Sequence, residues 1–275
     1  MNMASVKPSC APLSAADAAS RAALIQSELE TYVNPEKRDF LPRFFKTGKG
    51  EYGEGDQFLG IVVPDVRRVA KRYREEPQEV AACLLQSPWH ECRLCALLML
   101  VERFKKASPE VRKEVFDFYL TQTARINNWD LVDLSAPYIV GEYLATLPKN
   151  EDTNRYIIQT FLELAESPSL WRQRIAVVAT HAFIRRGDFA DITFLTMYFL
   201  SRQGLKQASG SKRPTTEMHD LMQKALGWML REVGKRDKHF LEVLLDVTCR
   251  QMPRTMLRYA VEKFPPEERK KYMGK

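Results

Sequence analysis

The chain has 275 residues, 45% of them hydrophobic and 28% charged, which suits a globular protein with a sizeable core and excludes a disordered or fibrous one. Its formal net charge is +7, carried at one end: residues 201–275 hold 17 Lys and Arg against 9 Asp and Glu, the first 200 hold 25 against 26. Such asymmetry favours a polyanionic partner on the C-terminal side, with a solvated basic face as the competing reading. The cysteines, Cys10, Cys83, Cys92, Cys95 and Cys249, are odd in number and follow no export signal, so reduced thiols are expected. A reducing compartment fits: cytoplasm, or the nucleus in a eukaryote, and not the outside of a cell. No apolar run is long enough to span a membrane.

Residues 1–15 are rich in Ala, Ser and Pro and read as a flexible tail, ahead of one domain over 16–275. The first helix is predicted over Ala16–Tyr32, with Ala22, Ile25, Leu29 and Tyr32 as its stripe, and a second over Pro35–Phe45. Glycines between Gly48 and Gly60 mark a loop, and Lys46 just ahead of it is placed to approach a ligand. Helices then follow over Val66–Arg74, Gln78–Leu85, Trp89–Lys105, Glu110–Thr123, Trp129–Ala145, Asp152–Glu166 and Leu170–Arg186. The series continues over Ala190–Arg202, Glu217–Lys235, Phe240–Cys249 and Arg254–Lys263, with a polar, basic and mobile loop expected between Gly204 and Thr216. Alternating strands are absent. Second members of successive pairs begin near residues 89, 129, 170, 219 and 254, an irregular repeat of about 40 residues. The expected fold is all-α: a HEAT-like helical-repeat solenoid of antiparallel helix pairs with a concave basic groove.

Along that series, polar and aromatic residues stand where a core helix would put Leu and Ala. They are His90 and Arg93, Trp129 and Asp133, Trp171 and Arg174, then Lys224, Trp228 and Arg231, then Arg254 and Arg258. Cations with tryptophans suit a surface that tracks phosphates, and the carboxylate in its midst suggests chemistry there. Grooves of this kind also bind acidic peptides, so a peptide scaffold competes. Trp129 and Asp133, four apart, share a helix face; the neighbouring Asp130 reads as a first-turn residue answering the helix dipole. Zinc at Cys83, His90, Cys92 and Cys95 is disfavoured, since Cys92 and Cys95 lie in an apolar helical run. Neither a phosphate-cradling glycine loop nor a serine-hydrolase elbow occurs, and none of the four histidines has an evident acid–base partner.

Several short motifs fall in order: Asn34-Pro-Glu-Lys37, Phe58-Leu-Gly-Ile61 with Pro64 after it, Trp129-Asp-Leu-Val-Asp133, Trp171-Arg-Gln-Arg174, and the run Gln223–Glu232. Through these, over Asn34–Phe264, the chain resembles the AlkD branch of the DNA alkylation repair glycosylases. The resemblance implies a HEAT-like solenoid that excises positively charged N3- and N7-alkylated purines from duplex DNA without metal or cofactor, handling the lesion within the duplex. By motif, Asp133 matches the catalytic carboxylate, Trp129 and Trp228 the aromatic walls of the cleft, and Arg174 the arginine beside the carboxylate. Phe44 falls where the family carries a cleft tyrosine, so the ring is kept and the hydroxyl lost. Ahead of Gln223, where bulky aromatics are usual, this chain has His219, Asp220, Leu221 and Met222. The DNA-contact set expected is Phe44, Lys46, Arg93, Lys224, Arg231, Arg254 and Arg258. A monomer is expected. A DNA-binding protein of the same fold without excision activity, recognising damaged or branched DNA, is the other reading.

Overall fold

The structure, a computed structural model, describes residues 13–202, 205–206 and 215–274, and only the backbone of 205–206 and 215–216. It is an all-α helical-repeat fold. Its contacts gather into two compact units that divide between Lys106 and Ala107.

The first unit holds α1 (Ala15–Glu30), α2 (Pro35–Phe44), α3 (Val63–Arg72), α4 (Gln78–Leu85) and α5 (His90–Lys106). Starts are set locally. The Ser14 hydroxyl accepts the Asp17 N–H, and Asn34 Oδ1 accepts the Lys37 N–H with Pro35 in the first turn. α5 is buried on nearly every side from His90 to Val101, and α1, α3 and α4 cover it. Cys92 and Cys95 belong to this core, where burial pushes the Cys92 thiol up to about 11. The long connection from Lys46 to Val62 is pinned to the start of α5. Glu91, itself buried, accepts the backbone N–H groups of Leu59, Gly60 and Ile61 at 2.8 to 3.1 Å. Gly60 adopts φ +87°, and a β-carbon there would lie 2.3 Å from the Asn34 carbonyl oxygen, so only glycine fits.

The second unit begins with α6 (Pro109–Thr121), a 3₁₀ turn (Thr123–Arg125) and α7 (Trp129–Asp133). A single π-helical turn (Pro137–Gly141) leads into α8 (Glu142–Ala145). Next come α9 (Glu151–Ala165), α10 (Leu170–Ala179), α11 (His181–Ile184) and α12 (Ala190–Arg202). Then α13 (Asp220–Gly234), α14 (Lys238–Thr248), α15 (Arg254–Ala260) and α16 (Pro266–Met273) close it. α10 packs against α7, α9 and α13, and α13 packs against α14 and α15.

Departures from the sequence reading have identifiable causes. The helix expected over Trp129–Ala145 is broken because Pro137 has no N–H for the Asp133 carbonyl and its ring crowds that turn. The chain recovers through the bond from Gly141 N to the Ala136 carbonyl at 2.9 Å, one residue longer than an α turn. Gly141 is required there, since a β-carbon would meet the Ala179 carbonyl at 2.2 Å. The helix expected over Leu170–Arg186 divides at Thr180, whose hydroxyl bonds back to the Val177 carbonyl. α16 was not anticipated. In the Gly204–Thr216 stretch, Leu205–Lys206 pairs antiparallel with Thr215–Thr216; the rest of the loop expected there, like residues 1–12 of the expected tail, lies outside the described residues.

Candidate active site

α7 is short and tightly specified. Asn128, fully buried and in extended conformation, turns the chain into it and its Oδ1 accepts the Trp129 N–H at 2.9 Å. Behind it, the buried Tyr119 hydroxyl lies 2.8 Å from Ser135 Oγ, which in turn donates to the Leu131 carbonyl. Asp130, Leu131 and Val132 turn inward, while Trp129 and Asp133, one turn apart, remain half-buried on the outer edge.

Among the described residues Asp133 meets a single cation. Arg174 of α10 donates Nε to Oδ1 at 2.9 Å and Nη2 to Oδ2 at 2.8 Å, a two-pronged pairing that fixes the carboxylate plane. Its remaining Nη1 donates to the Leu221 carbonyl at 2.6 Å, so this buried guanidinium joins α7, α10 and the first turn of α13. Asp133 keeps 16% of its side-chain surface exposed against 6% for Arg174. The carboxylate is therefore mostly covered but not closed off from solvent.

Burial pushes the Asp133 carboxyl above its ordinary value; the Arg174 charge and its two hydrogen bonds pull it down, and nearby Asp130 adds to the rise. Burial wins. A neighbouring cation such as Arg174 lowers a carboxyl pKa, but here the net shift is upward.

Trp228 of α13 is half-buried. Its Nε1–H donates to Glu232 Oε1 at 3.3 Å, and its ring lies 6.1 Å from the His181 ring at 34°. Leu221 to Trp228 and Arg174 to His181 are both seven-residue steps, so these two contacts form a second rung about 10 Å along the helices from the Arg174–Leu221 rung. The Trp228 indole is anchored beside Asp133's layer, not stacked on the ion pair. Burial, then the Arg185 charge, lowers the His181 pKa and favours the neutral ring. Burial raises the Glu232 carboxyl, but Lys235 at 2.7 Å and further cations outweigh it and hold it low. Sequence reasoning missed His181 and Glu232; the four-residue step from Trp228 to Glu232 was the available signal for the second.

Over residues 25–264 the chain matches the family model described as DNA alkylation repair enzyme. It belongs to that family. A solved structure of a predicted DNA alkylation repair enzyme from Enterococcus faecalis is similar in fold, with a TM-score of 0.60, 16% identity, and coverage of 85% of this chain and 97% of that one. No curated protein matches. Membership gives this repair-family chain a role in DNA alkylation repair and makes DNA its partner. Among the described residues no helix is long and apolar enough to cross a membrane.

The remaining expected contacts separate into two groups. In the first unit, Phe44 is 51% exposed and stacks on Phe40, and Lys46 is exposed with a left-handed φ of 55°. Arg93 is withdrawn from the expected DNA-contact set: it is buried, with Nη2 on Asp56 at 2.6 Å and Nη1 on the Ser87 and Pro88 carbonyls. Asp56 also takes His90 Nδ1 at 2.7 Å, so His90 has a carboxylate partner after all, in the core. Burial raises the Asp56 carboxyl, but His90 and Arg93 together hold it below its ordinary value. In the second unit Trp171, expected in the groove, is buried. Lys224 pairs with Asp220 at 2.6 Å on the surface, and Arg231 is taken up by Glu262. Arg254 and Arg258 are exposed.

Proposed function

We propose that this protein is a DNA glycosylase that hydrolyses the N-glycosidic bond of positively charged N3- and N7-alkylated purines in duplex DNA, without metal or cofactor. The observation that carries the reading is Asp133, a mostly buried carboxylate that keeps 16% of its side-chain surface exposed and is held in one plane by Arg174, on the same helix edge as Trp129. An alkylated purine already carries positive charge, so it leaves as a neutral base with the bonding electron pair and needs no general acid. One carboxylate then suffices, where most glycosidases use two. As the C1′–N bond opens, positive charge moves to the sugar; Asp133 stabilises that oxocarbenium and orients a water, whose oxygen bonds to C1′ and whose proton passes to the carboxylate or solvent. Trp129 and Trp228 offer ring faces to the cationic nucleotide. Phe44, Lys46, Lys224, Arg254 and Arg258 supply DNA contacts, with Arg231 contributing only by leaving Glu262.

The pairing of both Asp133 oxygens with Arg174 favours one other reading, a structural ion pair in a DNA-binding protein without excision. Release of 7-methylguanine from methylated duplex by wild type and Asp133→Asn separates them. Activity that depends on Asp133 supports the glycosylase; activity retained by a folded variant assigns the pair to structure.

A further inference from the structure

Asp191 is a carboxylate with no side-chain partner among the described residues. It stands in the first turn of α12 and lines a cavity of about 370 Å³ walled by Leu144, Leu147, Pro148, Ile157 and Phe183. Of the other charges around that cavity, Arg186 pairs with Glu142 at 2.6 Å, and Lys149 is exposed to solvent, 3.9 Å from Asp188. Asp188 also accepts the Ala190 N–H at 3.2 Å. Among the described residues Asp191 itself accepts no hydrogen bond and joins no ion pair. Burial and the Asp188 charge both push its carboxyl up to about 6, and no cation opposes them. At neutral pH the cavity therefore holds a poorly solvated negative charge beside apolar walls, offset only by its place in the first turn of α12, and an entering cation would stabilise it further.

We propose that this cavity binds a small organic ammonium ion, its apolar body against Ile157 and Phe183 and its N–H groups on the Asp191 carboxylate. The volume is in the range of small-molecule sites, and a few polar and charged groups among apolar walls are their usual composition. A divalent metal fits poorly, since it asks for six or more oxygens and, among the described residues, the carboxylates lining the cavity are Asp188, which accepts the Ala190 N–H, and Asp191. The site is independent of Asp133, Arg174 and the tryptophans, so its fate does not follow that of the glycosylase reading.

The test uses the full chain and two probes of one shape, benzylammonium and neutral benzyl alcohol, followed through the Ala190 and Asp191 amide resonances at pH 7.5. Benzylammonium is expected to bind with a Kd of about 1 mM and at least about tenfold tighter than the alcohol. Asp191→Asn abolishes that preference, and Ile157→Trp, which fills the cavity, blocks both probes. Asp191→Asn should leave 7-methylguanine release unchanged and should melt higher than wild type above pH 6, where it removes a desolvated charge. Equal binding of the two probes overturns the proposal. So does a preference for the ammonium that survives Asp191→Asn, or the absence of any shift with either probe at about ten times that concentration.

Discussion

Replacing Asp133 by Asn keeps the shape of the side chain and removes its charge. One oxygen still accepts from Arg174, but the new NH₂ is set against a second guanidinium N–H, and the buried cation is left without its counter-charge. Breaking a buried pair typically costs about 3–5 kcal/mol; the surviving bond, the partial exposure of Asp133 and the relief of its desolvated charge bring this to roughly 2–3 kcal/mol. For a chain of this size that lowers Tm by roughly 5–10 °C. Against a total stability of about 5–15 kcal/mol, most of the variant remains folded at 25 °C. Loss of a preorganised charge at the reacting centre, by contrast, lowers a rate by about 10²–10³-fold. The two effects are therefore separable. Single-turnover release of 7-methylguanine is expected to fall at least about 100-fold, while circular dichroism shows a folded protein and duplex affinity, read by anisotropy, changes little. A folded Asp133→Asn that excises at the wild-type rate would refute the chemistry assigned to this residue.

Asp133 acts ionised, and its carboxyl stands above the ordinary 3.8, so the acidic limb of the excision rate is expected at higher pH than a solvated Asp would give. Arg174→Gln removes the opposing cation and moves that limb further up; superimposable profiles would show that Arg174 does not act on the Asp133 proton. The same shift has a linked sign in stability. The folded state holds this proton more tightly than the unfolded chain, so this group's contribution falls as pH rises from 3.8 through the raised folded value, and the Arg174 variant should lose stability over a wider span. Trp228→Ala should lower kcat/KM on alkylated duplex by about 3–30-fold, as loss of one cation–π face predicts. Trp228→Phe should fall between, keeping a ring without the bond to Glu232, and equal kinetics for all three proteins would remove Trp228 from the site. Gly60→Ala places a β-carbon against the Asn34 carbonyl at positive φ and should destabilise the protein by more than about 1 kcal/mol; an unchanged Tm would mean that the loop clamped by Glu91 is free to relax.

Much of the fold was legible because helix formation is local. Caps at Asn34 and Asn128 and first-turn Pro35 mark helix starts without reference to the rest of the chain. The spacing of Trp129 and Asp133 put them on one edge for the same reason. Pro137 was equally visible in the sequence, yet whether a proline kinks a helix or ends it depends on what receives the freed carbonyl and how closely the neighbour packs, here α10 against Gly141. α16 carried readable dipole signals, Glu267 and Glu268 in its first turn and Lys270 and Lys271 in its last. It shows no apolar stripe, and Tyr272 is its sole buried residue.

Arg93 shows where the pattern misleads. On α5, buried almost all round, helical spacing identifies residues that share a face but not whether that face meets solvent or another helix. Asp56 settles the matter from 37 positions earlier in the sequence. Asp133 and Arg174 are 41 apart and were brought together by resemblance rather than by spacing. The sequence by itself determined helices, their caps and an edge carrying an indole and a carboxylate, since all three follow from interactions a few residues long. Only the tertiary structure decided which cations reach solvent and which carboxylates find partners. It also decided that Asp133 titrates above its ordinary value, because burial and ion pairing are set by groups that the folded chain gathers from far apart.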